Sequence, residues 1–322
     1  MTILHSPAIT NFLAGPYLDR RSDEREQPTA VANARQQSGS RVLLTRGTAI
    51  GVVGDPPRAA FLSSGDPQLV DFEDDAFILL GWYQEQACLL LSMDDEAPSR
   101  LRPPTDWRFE ELRPLAAILD REEAGLLAYA RALIYWQRRH RYCGRCGGPN
   151  RAQRAGHLMQ CASPDCGEAF FPRIDPAVIV LVRHGDHALL GRQPSWPAGR
   201  FSTIAGFVEP GESLEDTVQR EVSEETGVTL RDIHYHSSQP WPFPSSLMLG
   251  FMAEAETPTI KVGCELAEAC WFSRDDIIQQ KVILPPATSI SHRLIETWFN
   301  DYPGPPLAHY PTASWTAAPR PG

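Results

Sequence analysis

The chain has 322 residues, enough for two cores, and its 42% apolar and 22% charged content is that of an ordinary globular protein. A formal net charge of −10 argues against a sequence-independent grip on a long nucleic-acid backbone, which needs a concentrated basic face, and favours a small or end-bound ligand. With no run of about 18 apolar residues, and no basic start or continuous apolar core in Met1–Leu18, a cytoplasmic protein without membrane partners is expected.

Residues 19–40 are charged, Gln-rich and poor in large apolar side chains, which predicts a surface loop or disordered segment. From Arg41 to Met93, apolar stretches (VLLT, AIGVVGD, AAFLSSGD, AFILLGWYQ, ACLLLSM) alternate with turn signals, the pattern of short strands. A Pro-containing loop over 94–108 follows. Glu111–His140 then reads as helix, with Leu115, Ile118, Leu119, Leu126, Leu127, Ala130, Leu133 and Ile134 as its apolar face. Residues 1–140 thus form a β-rich N-terminal domain, followed by a cysteine module over 141–171.

A strand-like apolar run at Ala177–Val182 (AVIVLV) opens a third region, 172–302. Strands are predicted at 187–190, 201–204, 233–236 and 247–254, with a long helix before 233 and another at Ser291–Phe299. Mixed strands between two helices suggest an α/β/α sandwich. The tail over 303–322 is Pro-rich and expected to be irregular.

Within that region Gly206-Phe-Val-Glu-Pro-Gly-Glu212 is followed, after seven residues, by Arg220-Glu221-Val222-Ser223-Glu224-Glu225-Thr226-Gly227-Val228. Ser213 is placed to N-cap a helix with Asp216 three residues on, and Gly227 to end it. Leu214, Val218 and Val222 make a buried stripe. Glu221, Glu224 and Glu225 gather on a neighbouring face, where like charges are costly unless a cation sits among them. Hard divalent ions such as Mg2+ or Mn2+ suit such oxygens. The segment resembles the Nudix signature G-x5-E-x7-R-E-U-x-E-E-x-G-U, with U apolar, at every position.

That resemblance implies hydrolysis of a nucleoside diphosphate linked to another group, with two or three Mg2+ or Mn2+ ions per site. Glu221, Glu225 and the backbone carbonyl of Ala205 match metal ligands, and Glu265 matches a further ligand brought in by a loop. Arg220 matches the arginine that buttresses the glutamates. The catalytic base lies open between Glu224 and Glu225.

Ser238-Gln-Pro-Trp-Pro-Phe-Pro-Ser-Ser246 alternates proline with aromatic residues, a stiff extended segment able to hold a flat ring or to cover the core. It resembles SQPWPFPxS, the motif of the NADH pyrophosphatase (NudC-like) branch of Nudix hydrolases. The resemblance implies cleavage of NADH or NAD+ to nicotinamide mononucleotide and AMP, and extends in some members to removing NAD caps from RNA 5′ ends. Gln239, Pro240, Trp241, Pro242, Phe243, Pro244, Ser245 and Ser246 become substrate-binding candidates, with Phe171, Phe207, Ser291 and Arg113. A homodimer is also implied.

Cys143-Gly-Arg-Cys146 and Cys161-Ala-Ser-Pro-Asp-Cys166 are two knuckles at spacing suited to one structural Zn2+. The branch carries such a zinc ribbon, usually with a shorter second knuckle. Cys88, Cys264 and Cys270 read as scattered small hydrophobes. His184 and His187 flank a Gly185-Asp186 hairpin turn, and no histidine is nominated as catalytic. The fold class expected is α+β: a β-rich N-terminal domain, a zinc ribbon and a C-terminal Nudix α/β/α sandwich. The competing reading is an RNA-binding zinc-ribbon protein with a nucleotide-sensing Nudix fold, since Arg138, Arg139, Arg141, Arg145, Arg151 and Arg154 surround the ribbon.

Overall fold

A computed structural model describes residues 10–93 and 101–311. It divides into two units: the described residues of Gly15–Ile174 with Trp241–Ser245, and those of Met1–Ala14, Asp175–Pro240 and Ser246–Gly322. The cysteine module clusters with the N-terminal strands, and residues 10–14 with the C-terminal ones.

The first unit carries β1 (Leu18–Asp19), α1 (Ala30–Gln36), β2 (Arg41–Arg46), β3 (Ala49–Val53), β4 (Arg58–Ala59), β5 (Phe61–Ser63), β6 (Phe77–Tyr83), β7 (Gln86–Ser92) and β8 (Arg108–Glu110). The helices α2 (Leu112–Leu115) and α3 (Arg121–Arg139) and the ribbon strands β9 (Asn150–Gln153), β10 (Leu158–Cys161) and β11 (Ala169–Phe170) follow. Segment 19–40 is not disordered. Ala30, Val31 and Ala34 of α1 are buried, and the Arg35 guanidinium donates to the carbonyls of Leu69 and Phe72 and to Asp74. Few apolar side chains suffice because arginine supplies the remaining contacts.

The predicted long helix over 111–140 is broken. Asp120 caps α3 by accepting from the amides of Glu122 and Glu123, so residues 116–120 form a turn in which Ile118 is exposed rather than part of the apolar face.

The second unit holds β12 (Asp175–His184), β13 (His187–Arg192), β14 (Ile204–Phe207), α4 (Leu214–Thr226), β15 (Leu230–Trp241) up to Pro240, β16 (Ser246–Ala255), β17 (Glu268–Phe272), α5 (Arg274–Ile278) and α6 (Ile290–Asn300). The sheet order is β15-β16-β12-β13-β17, with β14 on β12. β12 is buried on both faces. Val178, Val180 and Val182 join one core with Val218 and Val222 of α4, while Ile179 and Leu181 join another with Leu294, Ile295 and Trp298 of α6. Alternation along one strand thus builds the α/β/α sandwich. β17 and α5 have no counterpart in the sequence reading, and the third strand begins at Ile204 rather than Phe201.

The two sheets share one pairing scheme. β2 pairs in parallel with β7 as β12 does with β16, and antiparallel with β5 as β12 does with β14; β3 pairs with β8 as β13 does with β17. Between β5 and β6, however, only 3-10 turns occupy the place that α4 fills between β14 and β15. The glutamate helix therefore belongs to the second sheet alone. Of the Pro-rich tail, residues 303–311 pack in part: Leu307 is buried and Tyr310 lies edge-on to Phe299. Residues 312–322, and 94–100 of the Pro-containing loop, lie outside the described residues.

Candidate active site and zinc centre

Helix α4 starts and stops where its terminal residues dictate. The Ser213 hydroxyl accepts from the Asp216 amide and the Asp216 carboxylate accepts from the Ser213 amide, a reciprocal cap; Gly227 ends the helix in the left-handed conformation (φ 69°). Val218 and Val222 are fully buried, contributing about 1.5–3 kcal/mol each relative to exposure. Their burial fixes the rotation of the helix, and with it the face that carries the glutamates.

Arg220 organises that face. Its guanidinium donates to Glu212 at 2.5 and 2.9 Å, to Glu221 at 2.9 Å, to Glu224 at 3.2 Å and to the carbonyl of Phe207 at 2.9 Å. Contact with Arg220 draws the Glu212 carboxyl down to about 2, so it stays ionised. Glu212 has no assigned role in the sequence reading; the fixed G-x5-E spacing of the box is the signal that marks it.

The Glu221 carboxylate lies against β14. A Cβ at Gly206 would stand 1.8 Å from the Glu221 Cδ, so only glycine permits this approach. A second close approach brings in the loop bearing Glu265. The Gly263 amide donates to the Glu225 carbonyl at 2.8 Å, and a Cβ there would lie 2.2 Å from the Glu224 carbonyl oxygen. The charge of Glu265 is felt by both Glu221 and Glu225.

Glu225 is the most telling of the set. It is only 7% exposed and no described residue donates to its carboxylate; burial first, then the charges of Glu221 and Glu265, push it up to about 7. Burial raises Glu221 as well. A buried carboxylate with no donor among the described residues, within electrostatic reach of two more carboxylates, has the hard-oxygen chemistry that suits a divalent cation. Among the described residues only the four cysteines converge as a ready ligand group. Glu224 is exposed, and its carboxylate accepts from Arg220 at 3.2 Å.

In the other unit the four cysteines converge. All four sulfur atoms lie within 4.8 Å of one another, with Cys146 and Cys161 at 3.4 Å and Cys143 and Cys166 at 3.7 Å. Zn–S bonds of about 2.3 Å in a tetrahedron put sulfurs about 3.8 Å apart, so the set fits one zinc ion with no open position. The four-residue second knuckle still closes it. Cys88 is buried as expected, but Cys264 and Cys270 are exposed.

Three family models match in succession: a NADH pyrophosphatase-like rudimentary NUDIX domain over residues 39–136, a NADH pyrophosphatase zinc ribbon domain over 138–171, and a NUDIX domain over 173–296. The chain belongs to the NADH pyrophosphatase-like, zinc-ribbon branch of the Nudix family. Among its relatives, the NAD-capped RNA hydrolase NudC of Mycobacterium tuberculosis is 43% identical over 204 residues, 58% of this chain and 64% of the relative. The human NAD-capped RNA hydrolase NUDT12 is 40% identical over 208 residues, 59% of this chain and 45% of the relative. The chain therefore spans about half to two thirds of the length of these relatives. A NUDIX hydrolase crystal structure from Nitrosomonas europaea matches at TM-score 0.42 and 21% identity, over 54% of this chain and 96% of that one.

The SQPWPFPSS segment is not uniformly extended. Strand β15 runs to Trp241, residues 242–245 turn, and β16 starts at Ser246. Trp241 and Phe243 meet edge to face, centroids 5.1 Å apart, and the Arg113 guanidinium lies 5.9 Å from the Trp241 ring. Pro240, Ser245 and Ser246 are half-buried, Pro242 is buried and Pro244 is exposed. Phe171 and Phe207 are both exposed aromatics, in different units.

Gln239 departs from the substrate-contact expectation. It is fully buried; its Nε2 donates to the carbonyls of Phe12 and Thr288 at 2.9 and 2.8 Å, and its Oε1 accepts from the Ile290 amide at 2.8 Å. With three partners inside the fold, its side chain ties β15 to the start of α6. The Ser291 hydroxyl is likewise engaged, by Thr203 and Ser202, which leaves its backbone for any ligand contact. Ala205 lies on β14 opposite Ile179, beside Gly206.

Proposed function

We propose that the chain hydrolyses the diphosphate of NADH or NAD+ to nicotinamide mononucleotide and AMP. The carrying observation is Glu225, a buried carboxylate without a donor among the described residues, raised to about 7 by burial and then by the charges of Glu221 and Glu265. Glu221, Glu225, Glu265 and the Ala205 carbonyl would hold Mg2+ or Mn2+. Such ions polarise phosphoryl oxygens and lower the pKa of bound water. Arg220 keeps Glu221 and Glu224 in place through the hydrogen bonds described. Proton acceptance falls to the Glu224/Glu225 pair, of which Glu224 is exposed and Glu225 buried.

The SQPWPFPSS segment supports the dinucleotide as substrate, with Trp241 and Phe243 offering ring faces to nicotinamide and with Arg113, Phe171, Phe207 and the Ser291 backbone as further contacts. The two relatives named as NAD-capped RNA hydrolases extend the proposal to NAD-capped RNA 5′ ends. The reading also carries a homodimer and a cytoplasmic setting; among the described residues no helix is long and apolar enough to cross a membrane. Incubating the zinc-loaded protein with NADH and Mg2+ or Mn2+, and separating products by chromatography, tests it. Equimolar nicotinamide mononucleotide and AMP are expected; free nicotinamide, or no turnover with either metal, would refute it.

A further inference from the structure

Arg131 stands on α3, outside every motif, in surroundings unusual for an arginine. Its side chain is only 11% exposed, and Nη1 donates to the carbonyl of Pro242. The Glu111 carboxylate lies 3.6 Å from its Nε, and the guanidinium carbon is 5.1 Å from the centroid of the Phe243 ring. Phe243 in turn meets Trp241 edge to face. One cation thus holds both the backbone and an aromatic face of the turn over 242–245.

Burying a guanidinium costs several kcal/mol in desolvation, and a single carboxylate at 3.6 Å offsets only part of that. An apolar side chain of similar volume would pack α3 at lower cost. What it would not do is bond the Pro242 carbonyl while lying over a ring, a combination suited to a planar, many-donor group and poorly matched by lysine.

We propose that Arg131 is a positioning residue that fixes the Trp241–Phe243 pair and thereby sets the affinity for the nicotinamide half of the dinucleotide. The inference rests on the NAD(H) reading above. A pair of rings already held in place loses little freedom when a flat ligand binds, and releasing them returns that cost to the binding step. Arg131 touches no reacting atom in this account, so its loss acts on binding rather than on bond cleavage.

The test uses the full zinc-loaded chain and two variants, Arg131→Met and Arg131→Lys. NADH turnover gives KM and kcat, and calorimetry gives separate affinities for nicotinamide mononucleotide and AMP. Arg131→Met should raise KM for NADH about tenfold with kcat within about twofold, weaken nicotinamide mononucleotide about tenfold and leave AMP unchanged. Arg131→Lys, which keeps the charge, should melt as the wild type yet lose most of the same affinity, and it decides the matter if the methionine variant fails to fold. Unchanged affinity for nicotinamide mononucleotide in a folded variant overturns the inference, as does an equal loss of AMP affinity. Wild-type turnover tests the NAD(H) reading by itself. A wild type that neither splits NADH nor binds nicotinamide mononucleotide overturns both.

Discussion

The carboxylate of Glu221 rests on the backbone of Gly206, with room for a hydrogen and for nothing larger: a Cβ would meet the Glu221 Cδ at 1.8 Å. Gly206 of β14 and Glu221 of α4 are therefore one packing unit, joining the strand to the helix. Gly206→Ala should push Glu221 out of the cluster and lower kcat/KM on NADH by about 100-fold or more, a size consistent with misplacing a group at the reacting centre. The α4 caps and stripe are untouched, so circular dichroism should remain that of a folded protein. Near-wild-type turnover in Gly206→Ala would show that Glu221 does not need this seat.

Glu225 gives a pH dependence with a defined sign. Its carboxyl is raised from an ordinary 4.5 to about 7, so the folded state holds this proton more tightly than the unfolded chain does. The stability it contributes is present below about 4.5 and is lost as pH rises through about 7. Metal-free protein should melt several degrees lower at pH 8 than at pH 5, and Mg2+ or Mn2+ should raise the melting temperature far more at pH 8. Glu225→Gln should flatten the slope. A metal-free slope identical in wild type and Glu225→Gln would contradict the assignment.

Zinc should be integral to the N-terminal unit. Metal analysis is expected to find about one zinc per chain, and Cys161→Ser or chelation should lower the melting temperature by about 10 °C or more, since a closed tetrathiolate site couples binding to folding. Unchanged melting after complete zinc removal would separate the cysteines from stability.

Gln239 provides a contrast between a motif letter and its task. Gln239→Ala strands two carbonyls and one amide in the interior, which should destabilise the protein by about 2–4 kcal/mol in urea unfolding. A substrate-contact role predicts the reverse pattern, a raised KM with unchanged stability.

The box was readable because its chemistry is local: cap, stripe, glutamate face and terminal glycine all lie within residues 206–228, and each has a short-range physical reason. The four cysteines were readable for the same reason. Gln239 was not, because what saturates it comes from Phe12, Thr288 and Ile290, far along the chain. Arg131 carried no signal either; its role depends on a turn 111 residues away. The order in segment 19–40 escaped composition because it rests on arginines, Arg35 at the Leu69 and Phe72 carbonyls and Arg25 at the Leu80 carbonyl, rather than on apolar content.

The most direct test of the central claim is a paired measurement of kcat/KM on NADH for the wild type and Glu225→Gln at saturating Mg2+ or Mn2+, with melting curves recorded on both. The account predicts product formation by the wild type and a loss of about 1,000-fold or more in a variant that remains folded. Turnover by folded Glu225→Gln equal to that of the wild type would contradict it.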